Sequence, residues 1–281
     1  MSHALEVLGL PNKALDDDTR SRFVDYLQQA HEPVVEGGFR GSPHLMSHIA
    51  SSYAAIMAVV NVGTEEAFDI VDVDAFRNYL LSVKNNGSEN KENYYAYKKE
   101  NEWGDDDDPS KYVGTIPGSM AIHINGEMDI RGVYCSLVCA DILGILEGNE
   151  ELTRGVGEFL LSCQSYEGGF SYGPFGEAHA GYTFCALASF CLISQYGDKS
   201  CEKINFNRLM EWLMNRQQDG LGGFNGRINK LIDSCYSFWV GASFELADLL
   251  SQKYAGGRPL TQDNEYLFNQ EALQGYLVLC C

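Results

Sequence analysis

The sequence predicts an all-α fold in which helix pairs repeat around an α/α barrel, or toroid. Gly-Gly-Phe recurs at 37–39, 168–170 and 222–224, and a further turn signal, Asn-Gly, stands at 86–87. The spacing of these turns indicates a repeat of about 50 residues. Few segments alternate polar and apolar residues with a period of two, so β-strands are not expected. A superhelical solenoid is the competing geometry.

Each repeat consists of a helix, a glycine turn and a second helix. The helices before the turns are apolar on one face only and are expected to form the outer layer. The predicted outer helices span 20–30, 73–84, 152–164, 206–217 and 267–281. The helices after the turns are apolar on nearly every side, which indicates a buried inner layer. The predicted inner helices span 48–62, 130–146, 180–193 and 234–250.

The repeats are expected to form a single domain over residues 1–281, interrupted by an inserted acidic loop at 89–118. That segment is polar, charged and without a periodic pattern, so its four consecutive aspartates at 105–108 indicate a solvated loop rather than a magnesium motif. YLVLCC at 276–281 is similar to FLLSCQ at 159–164, where an outer helix ends. The sequence is therefore expected to lack the last segment of the barrel.

The charge balance excludes several classes of function. The chain has 20 Lys and Arg residues against 39 Asp and Glu residues, a formal net charge of −19. Proteins that bind nucleic acids or anionic membranes need clustered basic residues, so neither class is expected. No apolar run reaches the roughly 20 residues that insert into a membrane as a helix. Nine cysteines, several of them within apolar helical patterns, are typical of reduced thiols in the cytoplasm.

Polar residues cluster in the first turns of three predicted inner helices. Each is followed three residues later by an aromatic residue on the same helix face. The pairs are Arg131 with Tyr134, His179 with Tyr182, and Tyr236 with Trp239. Arg227 and Lys230 add positive charge before the fourth inner helix, and helix N-termini favour anions. The pattern predicts a site for a diphosphate with a long apolar tail. For any one pair, the alternative is that the two side chains pack in the hydrophobic core and bind no ligand.

Asp233 and Cys235 stand two residues apart where the fourth inner helix is expected to begin. At this spacing a carboxylate and a thiolate can both reach one metal ion. Zinc accepts mixed oxygen and sulfur ligands, and a catalytic zinc has three protein ligands and one open position. The alternative is an aspartate that caps the helix beside a buried cysteine.

Four longer motifs carry a resemblance to a known family. They are HINGEMDIRGVYC at 123–135, CQSYEGGF at 163–170, EAHAGYTFCALASF at 177–190 and GRINKLIDSCYSFWVG at 226–241. In this order they resemble the β subunits of the protein prenyltransferase family. The first and third motifs look more like the farnesyltransferases than the type I geranylgeranyltransferases, whereas the fourth has features of both.

The resemblance implies a catalytic β subunit that forms a cytoplasmic heterodimer with a farnesyltransferase α subunit. Its substrates would be farnesyl diphosphate and proteins that end in a CaaX motif, whose cysteine thiol receives the farnesyl group. One zinc ion per β subunit would activate that thiol as a thiolate, and Mg²⁺ is a further candidate cofactor. The alternatives are a type I geranylgeranyltransferase β subunit and a truncated, non-catalytic product that only binds the α subunit.

The same resemblance implies roles for individual residues. The residues implied to hold the diphosphate and stabilise its departing charge are His179, Arg227, Lys230 and Tyr236. The residues implied to line the isoprenoid are Arg131, Tyr134, Tyr182, Cys185 and Trp239. The residues implied to lie near the peptide carboxylate are His48, Glu127 and Arg131. The implied zinc ligands are Asp233 and Cys235.

Some features of the family have no counterpart in this sequence. The third zinc ligand of the family is a histidine in the last barrel segment, which also carries a tyrosine and an acidic residue for magnesium. A tryptophan that restricts isoprenoid length in the farnesyltransferases would precede Met1. The sequence is therefore expected to lack an N-terminal extension as well as the last segment.

Overall fold

The computed structural model of this chain describes residues 17–31, 37–42, 44–86, 117–254 and 266–280. Within these ranges the regular structure is helical, and β-type pairing is limited to isolated bridges. The helices are α1 (Asp17–Ala30), α2 (Ile49–Val62), α3 (Glu65–Phe68), α4 (Val73–Val83), α5 (Ile130–Ile142), α6 (Glu150–Thr153), α7 (Val156–Ser162), α8 (Ala180–Gln195), a 3-10 helix (Ser200–Lys203), α9 (Phe206–Met214), α10 (Tyr236–Tyr254) and α11 (Gln270–Cys280). The predicted all-α class is confirmed.

The helices follow the predicted order of outer and inner elements. The predicted inner helices are α2, α5, α8 and α10, and four of the predicted outer helices are α1, α4, α9 and α11. The prediction of one continuous outer helix at 152–164 is wrong. That segment forms α6 and α7, because Gly155 between them adopts a φ of +75°, a left-handed conformation that a helix does not contain.

The described residues divide into two compact units. The first holds the described residues up to Lys84, together with Met120–Glu127 and Cys135–Leu152. The second holds the described residues of Asn85–Ser119, together with Met128–Tyr134 and the described residues from Thr153 onward. The single domain over 1–281 stays a prediction. The predicted loop at 89–118 lies outside the described residues except at 117–118.

Each unit has an apolar core between helices. In the first unit, α1 and α3 contact α2, and the fully buried side chains include Phe39, Ile56, Phe76 and Leu80. In the second unit, α8 and α9 contact α10, and the fully buried side chains include Phe159, Phe170, Phe190 and Leu213. Burial of the predicted inner layer is incomplete, because some apolar side chains on three of its helices are exposed. They are Val60 on α2 (48%), Ile142 on α5 (43%), and Phe238 (57%) and Leu249 (55%) on α10.

The Gly-Gly-Phe turns dock against the outer helix of the next repeat. Gly168 has a φ of +111°, and a Cβ atom there would lie 2.1 Å from the carbonyl oxygen of Arg208 in α9. Gly169 lies against the Trp212 ring in the same way, one helical turn further along α9. The same contacts recur between Gly37 and Ala75, Gly38 and Tyr79, Gly222 and Ala272, and Gly223 and Tyr276. Both glycines are therefore required by the close approach of the turn to the helix.

Hydrogen bonds to the outer helix complete this contact. Asn205 caps α9 by accepting a hydrogen bond from the Arg208 N–H, and its backbone exchanges two hydrogen bonds with the Gln164 side chain. Asn269 caps α11 through the Ala272 N–H and makes the same exchange with Gln217. The same Asn cap and the same exchange of hydrogen bonds with a Gln side chain thus occur in two of the repeats that the glycine turns predicted.

No helix in the described part of the chain is both long enough and apolar enough to span a membrane.

Replacing Gly168 by alanine is expected to destabilise the second unit by about 3 kcal/mol or more, because the Cβ atom would clash with backbone and the φ is left-handed. Gly197→Ala is the matched control, since Gly197 also has a positive φ but no atom lies within 4 Å of the position that its Cβ atom would take. The Gly197→Ala control should lower the free energy of unfolding by only about 1–2 kcal/mol. Urea unfolding of both variants gives the difference, and equal losses would contradict the proposed role of the backbone contact.

Candidate functional site

The four inner helices begin with the same hydrogen bond. A side chain one residue before α2, α5 and α8, and three residues before α10, accepts the backbone N–H of the second residue after it. In α2, α5 and α8 this bond satisfies one of the free donors of the first turn. The pairs are His48 with Ala50 at 3.1 Å, Asp129 with Arg131 at 2.7 Å, His179 with Gly181 at 3.1 Å and Asp233 with Cys235 at 2.8 Å. We call these four side chains, His48, Asp129, His179 and Asp233, the cap residues. They lie at one position of the repeat, so each helix start is built in the same way.

A left-handed residue stands four positions before each cap residue. These residues, with their φ values, are His44 (72°), Asn125 (60°), Phe175 (66°) and Asn229 (58°). Non-glycine residues seldom adopt this conformation, and such strain is often found at functional sites. We call the segments 44–48, 125–129, 175–179 and 229–233 the cap turns. All of the predicted site residues lie on a cap turn, within two residues of one, or on the helix that follows it.

Backbone hydrogen bonds join successive cap turns. The first residue of an inner helix donates its N–H to a carbonyl that precedes the cap turn of the next repeat. These bonds run from Ile49 to Ile122, from Ile130 to Tyr172 and from Ala180 to Gly226. In the second unit, the last of these bonds brings the start of α8 against the segment that carries Arg227. The start of α8, with His179, and the segment before α10, with Arg227, are therefore held together by a main-chain hydrogen bond as well as by side chains.

The His179 and Tyr236 side chains meet at this junction. The Nε2 atom of His179 lies 3.2 Å from the Tyr236 hydroxyl, and its Nδ1 atom accepts the Gly181 N–H. Burial, and secondarily the charge of Arg227, lowers the pKa of His179. A neutral imidazole whose Nδ1 accepts a hydrogen bond carries its proton on Nε2. Nε2 therefore donates to the tyrosine oxygen, and the Tyr236 hydroxyl keeps its own proton for another acceptor.

Arg227 lies beside this pair, and Lys230 is a second cation, on the fourth cap turn. The Arg227 guanidinium is 2.6 Å from the Glu177 carboxylate, and both side chains are about half exposed. Lys230 is exposed on the fourth cap turn, whose backbone is held by a hydrogen bond from the Asn225 amide to the Lys230 carbonyl oxygen. The Arg227 guanidinium and the Tyr236 hydroxyl give this end of the site two kinds of hydrogen-bond donor.

Aromatic side chains adjoin the polar end of the site. The Phe184 ring lies 5.6 Å from Tyr134, 5.1 Å from Phe238 and 5.3 Å from Trp239, measured between ring centroids. We call these four rings the aromatic cluster. Tyr182 lies near the polar end, with its ring 5.4 Å from His179. Cys185 is buried next to Phe184 on α8.

Asp129 holds Arg131 in one orientation. The Asp129 side chain is 4% exposed, and one of its oxygens accepts the backbone N–H groups of Arg131 and Gly132. The other oxygen accepts two donors of the Arg131 guanidinium, at 3.0 Å and 2.5 Å. This guanidinium lies 5.8 Å from the centre of the Tyr182 ring. The Arg131 guanidinium and the His179 ring therefore both lie near the Tyr182 ring.

Asp233 and Cys235 interact directly. Hydrogen bonds from the Cys235 backbone and thiol lower the pKa of Asp233, which is exposed. Partial desolvation and the Asp233 carboxylate raise the pKa of the Cys235 thiol to about 11. Both donor types suit zinc. Among the residues that the structure describes, however, no group of three His, Cys, Asp or Glu side chains could hold a metal ion.

The remaining two predicted site residues, His48 and Glu127, belong to the first unit. The His48 ring lies 5.8 Å from the His123 ring and borders a pocket of about 430 Å³. The Glu127 carbonyl oxygen accepts the N–H of Ile122, whose own carbonyl accepts the N–H of Ile49. His48 and the turn that carries Glu127 are thus neighbours within this unit.

Sequence reasoning missed four residues of the site: Asp129, Glu177, Phe184 and Phe238. Asp129 could have been found, because it stands two residues before Arg131 as Asp233 stands two residues before Cys235. Phe184 and Phe238 lie inside the quoted motifs but do not share the spacing that defined the polar and aromatic pairs. Glu177 gave no signal, since its partner Arg227 is 50 residues away in the sequence.

Comparisons with known proteins agree with this architecture. A family model described as the prenyltransferase alpha-alpha toroid domain matches residues 1–281. A Candida albicans protein geranylgeranyltransferase-I complexed with GGPP has a similar fold, with a TM-score of 0.64 over 95% of this chain and 70% of that chain, at 21% identity.

Curated relatives are named as prenyltransferase β subunits. "Protein farnesyltransferase subunit beta" from Pisum sativum is 34% identical over 88% of this chain and 49% of its own length. The Schizosaccharomyces pombe protein of that name is 32% identical over 99% of this chain and 61% of its own length. "Geranylgeranyl transferase type-1 subunit beta" from Arabidopsis thaliana is 33% identical over 79% of this chain and 52% of its own length.

This chain spans about half the length of the curated relatives it matches. The predicted resemblance to protein prenyltransferase β subunits is confirmed, and so is the α/α toroid fold class. On the match of the family model over all 281 residues, the chain belongs to the prenyltransferase alpha-alpha toroid family.

Proposed function

We propose that this chain acts as the β subunit of a protein farnesyltransferase, which moves a farnesyl group from farnesyl diphosphate to the cysteine thiol of a CaaX motif. The observation that carries the proposal is the meeting of His179, Tyr236 and Arg227 beside the aromatic cluster. Such a site can hold a charged head and an apolar tail at the same time. Relatives named as farnesyltransferase β subunits support this choice of substrate.

The polar end would bind the diphosphate and stabilise the charge that develops as it leaves. The Tyr236 hydroxyl has its proton available because His179 donates to its oxygen. Arg227 and Lys230 would add cationic donors to the phosphate oxygens. Donors fixed before the reaction stabilise the departing anion without reorganising, which is the usual basis of electrostatic catalysis.

The apolar end would hold the isoprenoid. Flat aromatic faces such as those of Phe184 and Trp239 suit a branched, unsaturated chain, because they offer large apolar area with little loss of side-chain freedom. The proposed lining also includes Arg131, Tyr182 and Cys185. Asp129 would hold the Arg131 guanidinium in one orientation at this lining.

The thiol substrate would approach from the side of Asp233 and Cys235. These side chains would supply two of the protein ligands of one zinc ion, and zinc lowers the pKa of a bound thiol so that it is present as thiolate at neutral pH. Mg²⁺ remains a candidate for the diphosphate. We assign His48, Glu127 and Arg131 to the peptide carboxylate by their match to the family motif.

The proposed assembly is a heterodimer with a farnesyltransferase α subunit in the cytoplasm. The eight cysteines among the described residues form no disulfide with one another, as is usual in a reducing compartment. Because the chain covers about half of its curated relatives, activity is proposed for the complex and not for this chain alone.

A type I geranylgeranyltransferase β subunit is the second candidate. A curated relative of that name at 33% identity favours it. The two candidates differ in the length of the isoprenoid. Competition between equal amounts of farnesyl and geranylgeranyl diphosphate decides between them, and preferential transfer of the longer group would select the second. A third candidate, a non-catalytic product that only binds the α subunit, predicts a stable heterodimer with no transfer.

The proposed activity is tested on the chain co-purified with an α subunit of the same family. We expect transfer of a labelled farnesyl group to a Cys-a-a-X peptide and zinc bound at about one equivalent. Cys235→Ala should reduce both zinc affinity and transfer by about 100-fold or more, since it removes a metal ligand. The matched control is Cys280→Ala, which removes an exposed thiol on α11. Absence of transfer to any Cys-a-a-X peptide would contradict the proposal.

The donor role of Tyr236 makes a separate prediction. Tyr236→Phe should weaken binding of farnesyl diphosphate about 10- to 100-fold, because a hydrogen bond to a charged group is worth about 1.5–3 kcal/mol. Tyr166→Phe removes the hydroxyl of a residue that is 84% exposed and serves as the control. Equilibrium binding of the diphosphate to both variants gives the result. Equal affinity of the two variants would mean that Tyr236 does not contact the anion.

A further inference from the structure

Glu177 forms an ion pair with the arginine that the proposed function assigns to the diphosphate. Its Oε2 atom lies 2.6 Å from Nη1 of Arg227 and accepts a hydrogen bond from it. Glu177 lies on the third cap turn, two residues before His179, and Arg227 lies two residues before the fourth. The pair therefore spans two neighbouring cap turns within the second unit.

The carboxylate of Glu177 occupies a donor that an anionic ligand would need. A guanidinium presents its N–H groups in a fixed fork, and carboxylate and phosphate oxygens bind that fork in the same way. Arg227 cannot offer its full set of donors to a diphosphate while Glu177 holds Nη1. The two anions thus compete for one cation.

The ion pair is of a kind that exchanges easily. The Arg227 side chain is 41% exposed and the Glu177 side chain is 47% exposed, and exposed pairs contribute little to stability. Asp129 and Arg131 show the contrast, because the Asp129 side chain is 4% exposed and also holds two backbone N–H groups. Asp129 is fixed in place, whereas Glu177 can release its arginine.

Charge repulsion acts in the same direction. A diphosphate bound at Arg227 would lie within a few ångströms of the Glu177 carboxylate, where like charges repel strongly at the moderate dielectric of a protein surface. The repulsion increases with the charge of the ligand. Glu177 should therefore oppose a diphosphate more than a monophosphate.

We propose that Glu177 competes with the diphosphate for Arg227. The inference rests on the proposed function, because it assumes that the anion binds at Arg227. On binding, Arg227 exchanges the Glu177 carboxylate for a phosphate oxygen. After transfer, Glu177 takes Arg227 back and so promotes release of inorganic diphosphate.

The test measures binding of inorganic pyrophosphate and of inorganic phosphate by calorimetry, on the same heterodimer used for the transfer assay. Glu177→Gln keeps the size of the side chain and removes its charge. We expect this variant to bind pyrophosphate about three- to tenfold more tightly, with a smaller gain for phosphate and a gain that shrinks as salt is added. Release of the labelled diphosphate product should slow by a similar factor.

Two further variants separate the mechanism from a general charge effect. Glu211→Gln removes one exposed carboxylate from α9 and should leave the affinity for pyrophosphate unchanged. In an Arg227→Gln background, Glu177→Gln should lose most of its effect, because the cation for which the two anions compete is gone. A gain that persists in that background would overturn competition for Arg227.

The outcomes distinguish this inference from the proposed function. Tighter binding by Glu177→Gln, dependent on Arg227, supports the inference. Unchanged or weaker binding overturns it, and weaker binding would make Glu177 only a positioning residue that orients Arg227. In both cases binding of pyrophosphate by the unchanged protein leaves the proposed function standing. If the unchanged protein binds neither pyrophosphate nor farnesyl diphosphate, the proposed function and the inference both fail.

Discussion

The hydrogen bond from each inner helix to its own cap residue determines the chemistry of the candidate site. In α8 that bond occupies Nδ1 of His179, and it thereby fixes the imidazole proton on Nε2, toward Tyr236. The same bond at the start of α5 turns Asp129 toward the N–H of Arg131, with its other oxygen toward the guanidinium. The cap bond that satisfies a free backbone donor of α8 thus also decides which nitrogen of His179 carries the proton, and so which proton Tyr236 can offer to a ligand. Structure and proposed function depend on one set of bonds.

The helical architecture could be predicted because the repeat leaves a strong sequence signal. Gly-Gly pairs mark the places where a turn touches the next outer helix, and only glycine fits where a Cβ atom would lie 2.1 Å from a carbonyl oxygen. The break at Gly155 could not be predicted, since a glycine inside a helical pattern is compatible with a continuous helix. Its left-handed conformation accompanies the approach of Gly118 from a distant part of the sequence. Exposure of Phe238 on α10 likewise depends on neighbours that the periodic pattern does not specify.

The candidate site was predictable where chemistry follows local spacing. Arg131 with Tyr134 and His179 with Tyr182 were found because residues three apart share a helix face. Contacts between repeats had no such signal, so the bond from His179 to Tyr236 and the pair of Glu177 with Arg227 required the structure. The family resemblance assigned His179 and Tyr236 to a common site but gave no account of their proton positions. Those positions follow from the cap bond.

The nitrogen spectrum of the His179 ring tests the central claim most directly. In protein labelled with ¹⁵N-histidine, the ring signals report which nitrogen carries a proton. The signal of His179 is the one that is lost in the His179→Gln variant. At neutral pH we expect a neutral ring with its proton on Nε2, unchanged in form when pyrophosphate binds. A proton on Nδ1, or a doubly protonated ring, would contradict the claim, because in either form Nδ1 could not accept the Gly181 N–H. With the proton on Nδ1 alone, Tyr236 would also lose its donor.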